Sequence, residues 1–251
     1  MNEMDKILPD WITNQASLGP NVEVDTELND DNAFWFFLTA CCPLVFEKYA
    51  VILHPFWINY RAKREIESGI KLKEEDLKDS DYEPLTWNDF FNRFDFDFQF
   101  ESAYKTKQQL ERKLRKPEWP DYIWAPGEGD CEFADLKNVS KDIIKIYGDC
   151  DVNFFYGLLK TKDWEREILL QDKLSQLDTL YKNEKLRDSP TAIYPDSKEW
   201  CIVSDYDLPM TFIGGSSELI DTITKRTCFE IFEIKPRFGV KTPAHNNVYT
   251  K

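Results

Sequence analysis

The chain has 251 residues, 42% hydrophobic and 31% charged, a balance that suits a globular protein with a core of useful size and excludes a disordered one. Lys and Arg number 32 against 46 Asp and Glu, a formal net charge of −14, which argues against unaided binding to a nucleic-acid phosphate backbone. No stretch approaches the roughly 20 apolar residues of a membrane span.

The opening MNEMDKILPDWITNQ has neither the basic nor the apolar region of a secretory leader, so a soluble, cytoplasmic protein is expected. Residues 1–33 read as an acidic lead-in, with Glu3, Asp5, Asp10, Glu23, Asp25, Glu27, Asp30 and Asp31 against Lys6. The run FWFFLTA, 34–40, is apolar on both faces and reads as a central buried strand. FEKYAVILH, 46–54, is a second strand, stopped by Pro55. Residues 61–83 are charge-dense and mixed in sign, a surface helix or excursion. Thr86 is placed to cap a helix, with Asp89 at its third position and Leu85 and Phe90 as a hydrophobic staple.

Residues 104–116 predict a basic helix anchored by Leu110 and Leu114 and halted by Pro117. Leu136, Val139, Ile143 and Tyr147 set a helix over 135–147, with Gly148 after it. DVNFFYGLLK, 151–160, reads as a strand. Leu170, Leu174, Leu177 and Tyr181 form one stripe of a helix over 164–182. EWCIVSDY, 199–206, and TCFEIFEIK, 227–235, are further strands, joined by a helix over 216–226 with Leu219, Ile220 and Ile223 inward. A strand–helix–strand connection of this length suits parallel neighbours. The basic end, 236–251, reads as a flexible tail.

The expected fold is therefore α+β or α/β. It is one domain over 34–235, a mixed sheet flanked by helices, with insertions near 61–83 and 161–188.

Four constellations have chemical potential. In Arg93–Glu101 an extended backbone would put Phe94, Phe96, Phe98 and Phe100 on one face and Asp95, Asp97 and Glu101 on the other. Those carboxylates could hold a hard cation, or simply face solvent. Asp205 and Asp207 form an Asp-x-Asp pair at a strand end, which suits a divalent ion or a turn. Gly214, Gly215 and Ser216 precede a helix and could offer N–H groups to an anion, but the spacing of a P-loop is missing. Pro126-Gly127-Glu128-Gly129-Asp130 is an acidic loop unsuited to phosphate. His54 at a strand end could act as a base, although no nucleophile is recognisably spaced from it.

The cysteines Cys41, Cys42, Cys131, Cys150, Cys201 and Cys228 form no C-x-x-C pair and accompany only two histidines. Reduced thiols and no zinc site are expected. Cys201 and Cys228 lie in apolar runs and read as small buried hydrophobes. The tryptophans either fill the core or make an exposed recognition patch, for which Trp119–Pro126 is the best candidate.

Three segments carry a resemblance: Tyr49–Pro55, with its Leu53-His54-Pro55 element; Pro84–Trp87; and Ser189–Ile220, which holds Tyr194-Pro195-Asp196, Trp200, Asp205, Asp207 and Gly214-Gly215-Ser216. Together they resemble an uncharacterised family of bacterial proteins with no established activity, over about half of the chain. The resemblance implies a bacterial, cytoplasmic protein and no mechanism.

The expected function is non-catalytic binding, with a basic protein as partner, as in an immunity-type protein. His54, Trp200, Asp205, Asp207, Gly214, Gly215 and Ser216 are the candidate binding residues. No cofactor, metal or membrane is expected. The alternative is a metal-dependent enzyme using Asp205 and Asp207, or Asp95, Asp97 and Glu101. Nucleic-acid mimicry would need carboxylates on one continuous surface.

Overall fold

The structure, a computed structural model, describes residues 2–4, 11–12, 33–115, 119–162, 166–187 and 189–234. Most of the acidic lead-in and the whole basic tail fall outside the described residues.

The strands are β1 (Asn2–Met4), β2 (Lys48–Leu53), β3 (Phe56–Ile58), β4 (Glu83–Leu85), β5 (Ile123–Trp124), β6 (Asp151–Tyr156), β7 (Ile168–Lys173), β8 (Ala192–Pro195), β9 (Cys201–Val203), β10 (Met210–Gly215) and β11 (Ile231–Ile234). The helices are α1 (Ala33–Cys41), α2 (Tyr60–Glu67), α3 (Trp87–Asn92), α4 (Ala103–Leu114), α5 (Phe133–Tyr147), α6 (Leu177–Leu180) and α7 (Ser217–Ile223). The fold is α+β. The elements fall into two compact units, residues 1–54 with 128–251 and residues 55–127.

The larger unit is built on an eight-stranded sheet in the order β1-β7-β6-β8-β9-β10-β2-β11. Every neighbouring pair is antiparallel, where a mixed sheet was expected. The register explains the core. Ala50, Ile213, Ile202, Ile193, Phe154 and Leu170 lie opposite one another along one row. All belong to one buried cluster with Leu136, Val139 and Ile143 of α5 and Leu219, Ile220 and Ile223 of α7. The next row, Val51, Phe212, Val203, Ala192, Phe155 and Leu169, points to the other face and is buried as well. With both faces covered, these strands read as unbroken apolar runs.

Several expectations are corrected. Residues 33–41 are helix, not a central strand. A short apolar run does not distinguish the two by itself. Phe34 and Leu38, four apart, are buried, and the Thr39 hydroxyl donates to the Trp35 carbonyl one turn back at 2.7 Å. The helix predicted over 164–182 is instead β7, a 3-10 turn at Leu174–Gln176 and α6. Its leucine stripe nevertheless reaches the core, since Leu170, Leu174 and Leu177 are all buried. The segment 161–188 thus supplies a strand of the main sheet.

The connection through α7 starts from β10, not from the strand expected at 199–206, and it ends on β11. These two strands are parallel, but β2 lies between them and pairs with both. The run 227–235 shortens to β11, and Cys228 is exposed rather than buried.

The smaller unit holds a three-stranded sheet, β4-β3-β5, with α2, α3 and α4. The Thr86 cap forms as expected, its hydroxyl accepting from Asp89 N at 3.0 Å. Phe56, Trp87, Phe90 and Phe91 make the core, and the Phe56 and Phe90 rings stack at 3.7 Å. The segment 93–101 joins no sheet. Its alternation survives in burial alone, with Phe94, Phe96, Phe98 and Phe100 half-buried and Asp95, Asp97 and Glu101 exposed. Among the described residues no helix is long and apolar enough to cross a membrane.

Candidate functional site

His54 follows β2 directly and is 1% exposed. Its backbone N–H donates to the Pro209 carbonyl at 3.0 Å. Its Nε2 lies 2.9 Å from Thr211 Oγ1, which is 2.6 Å from Ser204 Oγ. Thr211 and Ser204 are buried too, so this imidazole sits inside a hydroxyl cluster.

The Asp-x-Asp pair occupies the β9–β10 hairpin turn. Asp205 accepts the Asp207 N–H on Oδ1 at 3.0 Å, and the Leu208 N–H donates to the Asp205 carbonyl at 3.2 Å. This is a side chain closing its own turn. Asp207 and Tyr206 are exposed, Tyr206 by 49%.

Gly214 lies on β10 under Phe46: a Cβ there would come within 2.2 Å of the ring. Gly215 ends the strand, buried. Trp200 is 0% exposed within the main core, and no described atom accepts its Nε1–H. Ser216 caps α7, its Oγ accepting from Leu219 N at 3.3 Å and from the Tyr147 hydroxyl at 2.7 Å. The Glu47 carboxylate accepts the Ser217 N–H at 2.9 Å. A side-chain anion therefore already sits where a bound one was imagined.

The structure assembles a different surface, which sequence reasoning noted only as a loop unsuited to phosphate. Gly129 adopts φ +72°, and a Cβ on it would come within 2.6 Å of Tyr206 Cα. Only glycine allows this backbone approach. The Gly129 N–H donates to the Leu208 carbonyl at 2.9 Å. The Gly129 carbonyl accepts from the buried Lys160 ammonium and from Ser189 Oγ. Asp130 accepts from Ser189 N at 2.8 Å, and Ser189 Oγ accepts from Cys131 N at 3.0 Å.

These bonds fix the segment 128–135 beside the turn 204–209. The backbones of two acidic segments thus meet at Gly129 and Tyr206, one carrying Glu128, Asp130, Glu132 and Asp135 and the other Asp205 and Asp207. Two partly exposed tyrosines flank them. One is Tyr206. The other is Tyr181, whose ring lies 4.3 Å from that of Phe133 and is 40% exposed.

The electrostatics follow from this crowding. Burial, then Asp130 and Asp135, raises the Glu132 pKa to about 7. Burial raises that of Asp135 to about 6. Asp207, then Asp205, pushes the Tyr206 hydroxyl up. Burial, then Cys131 and Asp130, does the same for Tyr181. Burial, then Asp135, keeps the Cys131 thiol protonated. The density of acids in PGEGDCEFAD was the one available signal. Its meeting with residues 204–209 is non-local.

Among the described residues no three His, Cys, Asp or Glu side chains come together in a way that could hold a metal ion. The chain matches no protein-family model, no curated protein and no solved structure.

Proposed function

We propose that the protein is a non-catalytic binding protein. Its acidic surface, formed by residues 128–135 and 204–209 with Tyr181 and Tyr206, docks a basic protein partner, as an immunity-type protein would. The observation that supports this reading is the seating of Gly129 against Tyr206, which brings the backbones of two acidic segments together beside an exposed aromatic ring. Aromatic anchors ringed by complementary charge suit an interface, and a tyrosine face also attracts Lys and Arg.

A pull-down with the intact protein at low and high ionic strength tests it. Basic proteins should be retained at low salt, released at high salt, and lost from the Tyr206→Ala and Glu128→Gln/Asp207→Asn variants. Recovery of no partner at either salt, or equal recovery by the variants, overturns the reading.

A further inference from the structure

The small sheet in the unit 55–127 has one face that its own core does not use. Phe56, Ile58, Leu85 and Ile123 are buried on the inner face. The register sets Pro84, Trp57 and Trp124 opposite one another in a row across β4, β3 and β5. Opposed residues share a face, and alternation puts this row on the outer one. Trp124 is 40% exposed, Pro84 is exposed and Trp57 is half-buried.

Tyr82, two residues before Pro84, lies on the same side but is buried, 5% exposed, so it backs the accessible Trp124 rather than meeting a ligand itself. Its ring stacks on Trp124 at 3.9 Å and 18°, and its hydroxyl donates to the Asp121 carbonyl at 2.6 Å. The Trp119 indole N–H donates to the Ile123 carbonyl and ties the loop onto β5. The platform is held in place before any ligand arrives, so little side-chain entropy is lost on binding. It is flanked by acids: Asp79 and Asp121 are exposed and near enough to Tyr82 that, after burial, they push its hydroxyl pKa up.

We propose that this face docks a proline-rich segment of a protein partner that carries arginine or lysine. Strands lie about 4.8 Å apart, so the row from Pro84 to Trp124 spans ~10 Å. A polyproline II helix advances ~9.3 Å per three-residue turn. Residues i and i+3 of such a segment, laid across the strands, meet the two outer strands of the row, and proline rings pack on the indole faces. The ligand is preformed and lacks internal hydrogen bonds, so a side-chain platform suffices to bind it. The flanking Asp79 and Asp121 take the cationic side chains, which also stack on Trp124. The platform is formed by residues of the unit 55–127 alone, and the proposal does not rest on the reading of the surface around Tyr206.

The test titrates the intact protein, by calorimetry and by the indole N–H resonances, with a synthetic peptide of repeated Arg-Pro-Pro. Saturable binding that shifts the Trp57 and Trp124 resonances is expected. Trp124→Ala should weaken it about tenfold. Trp124→Ala also removes the stack on Tyr82, so its melting temperature is measured alongside, and Trp124→Phe, which keeps a ring there, should weaken peptide binding less. Asp79→Asn/Asp121→Asn leaves the rings in place. It should weaken the Arg-Pro-Pro peptide about threefold and leave a Gln-Pro-Pro peptide unaffected. No saturable binding of Arg-Pro-Pro, equal binding by Trp124→Ala, or saturation by a neutral oligosaccharide in its place overturns the proposal.

Discussion

At Gly214 one hydrogen atom stands where a methyl would enter the Phe46 ring. The ring also packs edge-on against Tyr49 at 6.0 Å, and the Tyr49 hydroxyl accepts the Phe46 N–H at 2.8 Å, so it has little freedom to withdraw. Gly214→Ala should therefore destabilise the protein by about 1–3 kcal/mol in urea unfolding. Glu132 makes a pH-dependent contribution. Its folded pKa of about 7 lies above the ordinary 4.5 of a glutamate, so between these values the native state holds a proton that the unfolded chain has released. Its contribution is present below pH ~4.5 and is lost as pH rises through ~7. Allowing for solvent screening, Glu132→Gln should be more stable than the parent by about 1 kcal/mol at pH 8 and little changed at pH 4. Denaturant curves at the two values check this. Residue-scale chemistry was legible where it is local, as in the cap at Thr86. It was not legible at Asp205 and Asp207, whose spacing suits an ion and a turn equally, nor at Gly129, whose partner lies far along the chain.

At the scale of elements, helices with one apolar stripe were readable: α4, α5 and α7 stand close to where the 3.6-residue period puts them. The errors share a cause. In 33–41 neighbouring positions are apolar on all sides, and in 168–173 three apolar residues are followed by three polar ones, so neither period dominates in either run. Leu170, Leu174 and Leu177 match a helical stripe, yet they reach one core from a strand, a 3-10 turn and a short helix in succession. Leu169 separates the two pictures. A helix stripe through Leu170 leaves its neighbour toward solvent, whereas β7 buries Leu169 to 4% exposure on the opposite face of the sheet. Leu169→Ala should thus cost about 2–4 kcal/mol, as much as Leu170→Ala, by equilibrium unfolding.

At the scale of the molecule, the α+β class was legible from composition and the mixture of periods. Strand order was not. The sequence marks where 48–53 is extended, but nothing local says that it pairs with 210–215 on one side and 231–234 on the other. Between β2 and both of its partner strands runs the whole of residues 55–127, a compact unit of its own.

The position of β2 also bears on how the chain is made. His54 and Thr211, which meet at its end, are 157 residues apart. At a synthesis rate of about 5–20 residues per second, Tyr49–Leu53 waits roughly 10–30 s after emerging from the ribosome before either flanking strand exists. For that time five consecutive apolar residues present two bare edges to the cell. Production of this protein should accordingly depend on a chaperone that shields nascent chains, far more than does refolding of the finished polypeptide from denaturant.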